Sequence, residues 1–342
     1  MKNKGIIKYS FLLVLLLFLL ACKSEKNKHN QKEDENSRYN NTTKQMPYLV
    51  IKNGLYTYID KNGKEITLRN YNDAGIFSDE LAYVELDGKY GFVDIYGKMI
   101  IEAKYDGALN FSEGMAAVRK GNLWGYINKK GEEITAFEYE SAENFSEGMA
   151  VVSKNYKYGY IGKNGQFLIV PQFSYGFNFS EEYAAIQKEN GYGYINKNGQ
   201  QIIEDIYDRA SYFKNGLAKV LIGDYFGYIN EKGKIKIKPE YNDASDFSEG
   251  FAVVMKKNKY GYINVSGHFE IEPKYSYAGN FINGVAAVRE DEKYGYIDKN
   301  GKYLLQPQYE EAFDFERERA LVKKYGKYMM IDIKGKVYWR EK

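Results

Sequence analysis

One unbroken period constrains this chain more than any other feature. Tyr90-Gly91, Trp124-Gly125, Tyr158-Gly159, Tyr192-Gly193, Phe226-Gly227, Tyr260-Gly261 and Tyr294-Gly295 follow one another at steps of 34 residues. Tyr56-Thr57 and Tyr328-Met329 extend the register at either end with the glycine replaced. A second column, Phe77, Phe111, Phe145, Phe179, Phe213, Phe247, Phe281 and Phe315, keeps the same step, and Phe111, Phe145 and Phe247 stand in Phe-Ser-Glu-Gly. A third runs from Tyr71 through Tyr105, Tyr139, Phe173, Tyr207, Tyr241 and Tyr275 to Tyr309. The chain is therefore a tandem repeat with nine anchor copies and eight linkers, in which each unit needs its neighbours to bury a core.

Within one unit the residues read as strands. Ala150-Val151-Val152-Ser153, Lys157-Tyr158-Gly159-Tyr160-Ile161 and Gln166 to Val170 are β-rich runs separated by turn residues, and Pro171 stops the last, so the unit is a three-stranded antiparallel meander. The second turn begins with Asp or Asn and ends with Gly (Asp60/Gly63, Asn128/Gly131, Asn196/Gly199, Asp298/Gly301), the chemistry of an Asx-capped turn closed by a glycine at positive φ. Alternation puts Tyr158 and Tyr160 on one face of the central strand and Gly159 and Ile161 on the other. Both faces are non-polar, which implies packing on both sides. The anchor glycines Gly91, Gly125, Gly159, Gly193, Gly227, Gly261 and Gly295 read as places where a ring of the adjacent module comes close. The linkers read as turn-rich loops pinned by two buried rings, with Ser180-Glu181 and its copies closing a local turn.

The unit "aromatic-Gly-Tyr-Ile-Asp/Asn-x-x-Gly-Lys", followed by "Pro-x-Tyr-x-x-Ala-x-x-Phe-Ser-Glu-Gly-x-Ala-x-Val", resembles the bacterial WG-repeat family over roughly residues 48 to 338. Tyr replaces the family's Trp in most copies and Trp124 keeps it. The resemblance implies a repeat architecture and no common enzymatic activity.

The N-terminus carries different information. Lys2, Lys4 and Lys8 precede the apolar run Phe11 to Leu20, too short to span a bilayer as a helix, so residues 1–21 read as a signal peptide. The run ends Leu19-Leu20-Ala21-Cys22, which resembles the lipobox of bacterial lipoproteins and makes Cys22 the expected lipid attachment site. Cys22 is the sole cysteine, so no internal disulfide can form. Residues 22–46 are Lys, Glu, Asn, Gln and Ser with almost nothing apolar, a tether unable to offset the entropy of ordering. The repeat array occupies residues 47–342.

Catalytic and metal-binding constellations are not apparent. His29 and His268 are the two histidines, and Glu113, Glu147, Glu181 and Glu249 are one glutamate copied with the period rather than a special pair. No cofactor and no enzymatic activity are expected. The 49 basic residues nearly balance 46 acidic ones, which argues against a nucleic-acid partner.

Two all-β architectures fit: an open, curved β-solenoid-like stack, or a closed propeller-like ring. Both end copies form complete meanders and lose the anchor glycine, as caps do, so the open stack is the favoured expectation. The expected function is a membrane-anchored, non-enzymatic scaffold for a protein partner at the bacterial cell envelope, at the outer membrane or cell surface; the alternative is a glycan-binding lipoprotein using its tyrosine rows. The middle position of the first strand varies along the array, so Val151, Lys219 and Leu321 are candidate binding residues expected on the accessible surface.

Overall fold

A computed structural model describes residues 45–342, of which Met46–Lys342 form one compact unit. The expected signal peptide, Cys22 and most of the tether lie outside the described residues. Among the described residues every regular element is a β-strand. The N-terminal hairpin, Tyr48–Lys52 with Leu55–Ile59, is a two-stranded sheet, and eight sheets of three or four antiparallel strands follow it.

A representative sheet contains Ser141–Ala142, Met149–Lys154, Lys157–Gly162 and Phe167–Phe173, paired in chain order. The first of these comes from the segment read in sequence as a loop. It pairs Ala142 with Val152 and Ser141 with Ser153, so the linker supplies a short fourth strand. The last strand runs past Pro171 to Phe173, because a proline is tolerated where its missing N–H lies on a sheet edge. The Asx turns form as their residues dictate: Asp60 Oδ1 accepts from Asn62 N at 2.8 Å and Lys64 N at 2.9 Å, and Gly63 has φ 86°.

The cores lie between sheets rather than within them. Tyr160 packs with Ile169 and Phe173 of its own sheet and with Phe179, Ala184, Ile186 and Ile195 of the next. Equivalent clusters join each successive pair of sheets, and the last returns to the first: Tyr48, Val50 and Ile59 of the hairpin pack with Leu321, Met330 and Trp339. The fold is thus a propeller-like ring, and the open stack expected from the end copies is corrected.

The end copies differ from the rest because they fit one another, and an open stack would leave both apolar faces in water. Arg317 donates to the carbonyls of Met46 and, at 3.0 Å, Pro47; Asn53 N donates to Glu341 Oε1 at 2.6 Å. Thr57, in the place of an anchor glycine, is buried with its hydroxyl 2.8 Å from that of Thr67.

Candidate interaction surface

The anchor dipeptide and the linker together build the joint between modules. The hydroxyl of Tyr160 donates to Phe177 O at 2.8 Å, just after the short strand Tyr175–Gly176 of the next module. Tyr58, Tyr126, Tyr194, Tyr228, Tyr262 and Tyr296 do the same, each to a carbonyl 17 residues on. Burial pushes the phenol of Tyr160 well above the ordinary tyrosine value. Such a ring is a core element, since its body is apolar and its one polar atom is satisfied.

The Phe-Ser-Glu-Gly segment crosses the same joint. Ser146 Oγ donates to Phe179 O at 2.8 Å, and the Glu147 carboxylate accepts from Glu181 N at 2.7 Å and Glu182 N at 3.0 Å. The serine and glutamate therefore staple adjacent modules, which corrects their expected role in closing a local turn. The turn closes by its backbone instead, with Ser112 and Met115 exchanging both hydrogen bonds around Glu113 (φ 54°) and Gly114 (φ 84°), as a tight hairpin requires. Burial alone would raise the Glu147 carboxyl, but the N–H of Glu182, the Lys197 ammonium and the N–H of Glu181 outweigh it and hold the group below its ordinary range.

The anchor glycines also have a different reason from the one expected. A Cβ on Gly193 would lie 2.5 Å from Ile203 O and 2.8 Å from Glu204 C, backbone of the third long strand of its own sheet. Gly91, Gly159, Gly227, Gly261 and Gly295 meet the same wall, and Gly125 a looser version at 3.0 Å from Ala136 O. A register shift between Tyr192 and Tyr194 presses the two strands together there, so glycine answers an approach within one sheet, not a ring from the next module.

Of the variable positions, Val151 is 1% and Leu321 9% exposed. Lys219 is half-buried, donating to Ala244 O at 2.9 Å with its ammonium over the Phe226 ring. None is an open surface residue, because this strand also faces a joint, and variation there reflects different neighbours rather than solvent. The structure does not bring the three together.

Two surfaces are available for recognition. One is an aromatic row where the leading tyrosines of the anchor pairs, only half-buried, meet the short strands: Tyr158 and Tyr175 lie 4.8 Å apart, Tyr175 and Phe177 5.1 Å, and Phe177 and Tyr212 5.5 Å. The other is a cavity of about 570 Å³ at the closing joint, walled by Leu49, Ile51, Tyr56, Ile76, Phe313 and Met330, with Asp314, Glu316 and Arg317 at its margin. Burial raises the Asp314 carboxyl. Sequence reasoning missed this cavity, though two departures from the period mark it: Glu316-Arg317 in place of Ser-Glu, and Ile76 in a column otherwise mostly Asn or Asp.

Comparison with solved structures finds similar chains at low identity. A eukaryotic initiation factor is similar with a TM-score of 0.65 at 11% identity, covering 87% of this chain and 96% of that one. The dihydro-heme d1 dehydrogenase NirN matches with a TM-score of 0.49 at 14% identity (87% and 73% covered), and AztD of Citrobacter koseri with 0.43 at 14% (75% and 92%). No curated protein sequence matches. The family model of the WG containing repeat matches residues 56–90, 90–124, 124–158, 158–192, 192–225, 226–260, 260–294 and 294–328, each spanning one anchor pair to the next. The chain belongs to the WG-containing repeat family.

Proposed function

We propose that this protein is a non-enzymatic scaffold, anchored to the bacterial envelope through a lipid on Cys22, that holds a protein partner on its propeller-like ring. The observation that carries this reading is how the repeated polar groups are used. The copied glutamates, serines and buried tyrosine hydroxyls, the groups a catalytic site would draw on, are engaged in staples between modules. What they leave for recognition is apolar and aromatic surface of the kind found at protein interfaces. The leader pattern that ends in Cys22 supports the anchor.

Two measurements test it. Cys22→Ser should release the protein from the carbonate-washed membrane fraction, and retention there would refute the lipid anchor. The array without its leader should capture a specific protein from envelope extracts; if it instead retained only polysaccharide, and lost it on Tyr175→Ala, the aromatic row would be a sugar platform and a glycan-binding role would replace this one.

A further inference from the structure

Among the described residues the closing joint is one strand short. In the regular sheets the short strand does three things. The residues that flank it bond the neighbouring long strand: Glu143 N donates to Val151 O at 3.1 Å and Glu140 N to Ser153 O at 3.0 Å. It places a small residue, Ala74, Ala108, Ala142, Gly176, Ala210, Ala244, Ala278 or Ala312, against that strand. Three positions on, it inserts a phenylalanine whose ring sits 4.7 to 5.1 Å from the buried aromatic ring of the preceding module.

The 34-residue register makes Leu49 and Ile51 the counterparts of Val151 and Ser153. Among the described residues Tyr48–Lys52 pairs only with Leu55–Ile59, so its other edge borders no strand. The cavity of about 570 Å³ lies along that edge. Ile76 (50% exposed) and Phe313 (44%) border it from the short-strand segments on either side. Met330, which lines the cavity, stands where the other modules have the tyrosine or phenylalanine that receives the inserted ring. A thioether is an adaptable partner for an aromatic ring.

We propose that this slot receives an extended segment of a partner protein, added as the missing short strand and selected by a small residue followed three positions later by an aromatic one. Strand addition draws affinity from backbone hydrogen bonds and specificity from side-chain pockets. The small and aromatic pockets are read from the eight equivalent positions of this chain. The chain's own residues in that register are Asn40 and Thr43, which supply neither group. A second copy could offer one of its own short strands only by opening a joint, at the cost of a buried aromatic pair. The proposal rests on the scaffold reading and specifies the chemistry of its partner.

The probe is a fluorescent octapeptide copying residues 105–112, titrated into the full chain in detergent and followed by anisotropy. Saturable one-to-one binding is expected, with Asp in place of the peptide's alanine or phenylalanine weakening it about tenfold or more. Ile76→Asp and Phe313→Asp change exposed groove residues, should leave the circular dichroism unaltered, and should weaken binding to a similar degree. Ile206→Asp, at an exposed position outside the cavity lining, should not. Equal binding of a scrambled peptide, indifference to both groove variants, or cross-linking of residues 39–43 into the slot of the free protein would overturn the proposal. Failure of the peptide alongside capture of an envelope protein elsewhere on the array would remove the slot and leave the scaffold reading standing.

Discussion

The joint between the sheets that contain Met149–Lys154 and Tyr183–Gln187 and the joint that closes the ring solve the same problem with opposite chemistry. At the regular joint, Glu147 accepts hydrogen bonds from backbone N–H groups of the next module, Tyr160 gives its hydroxyl to a carbonyl, and Phe179 packs 4.9 Å from the Tyr160 ring. At the closing joint, Arg317 stands at the glutamate position and donates to the carbonyls of Met46 and Pro47, and Met330 stands at the tyrosine position with no hydroxyl to give. A repeated joint can be copied because each module offers the next the same donors and acceptors. A closing joint joins two ends that are not copies of each other, so it carries its own residues.

The comparison can be broken most forcefully by alkali. Burial raises Tyr126, Tyr160, Tyr194 and Tyr228 above the ordinary value of 10.0. In the unfolded chain each ionises near that ordinary value, while in the fold it keeps its proton, so the native state binds more protons and stability falls as pH rises above 10. The expected loss is about 1.4 kcal/mol per pH unit for each such tyrosine. Chemical denaturation at pH 9 and pH 11 checks it, and equal midpoints would mean the rings ionise without unfolding.

Truncation comes next in size. Tyr160→Ala should destabilise by about 3 to 5 kcal/mol, as expected for a buried aromatic, and Tyr160→Phe by about 1 kcal/mol for the hydrogen bond to Phe177 O. A parent-like melt for the alanine variant would show that the joint does not rest on this ring. Gly193→Val should cost about 1 to 3 kcal/mol by forcing apart two strands of one sheet. Hydrogen exchange should locate the loss between Tyr192–Asn196 and Gln201–Tyr207, and protection lost between sheets instead would favour the original reading of the glycine. Smallest is Arg317→Ala, about 1 kcal/mol for partly exposed hydrogen bonds to carbonyls, with faster exchange in Tyr48–Lys52 while the regular joints keep their protection.

These expectations separate what was legible in sequence from what was not. Strand runs, Asx turns and buried aromatic columns could be read because each is local chemistry repeated in one register. Closure could not. It depends on how the rotations of successive joints add up, and on Arg317 meeting residues 270 and 271 positions away, which no period reports. The glycine column was legible as a steric demand, but a shift in strand pairing, invisible in alternation, decides which atoms make that demand. Val151 and Leu321 were misplaced for a related reason. Variability in a repeat marks a site free of a fixed partner, and a joint whose neighbours differ from module to module meets that condition as readily as solvent does.

The propeller-like closure is tested most directly by joining its two ends. In a Cys22→Ser background, Asn53→Cys and Glu341→Cys place two thiols where the backbone N–H of Asn53 and the Glu341 carboxylate lie 2.6 Å apart, across 288 residues of sequence. A short bis-maleimide should convert the native protein to an intramolecular product of altered gel mobility, with no such product in denaturant. Exclusively intermolecular products from the native protein, or none, would contradict a closed ring.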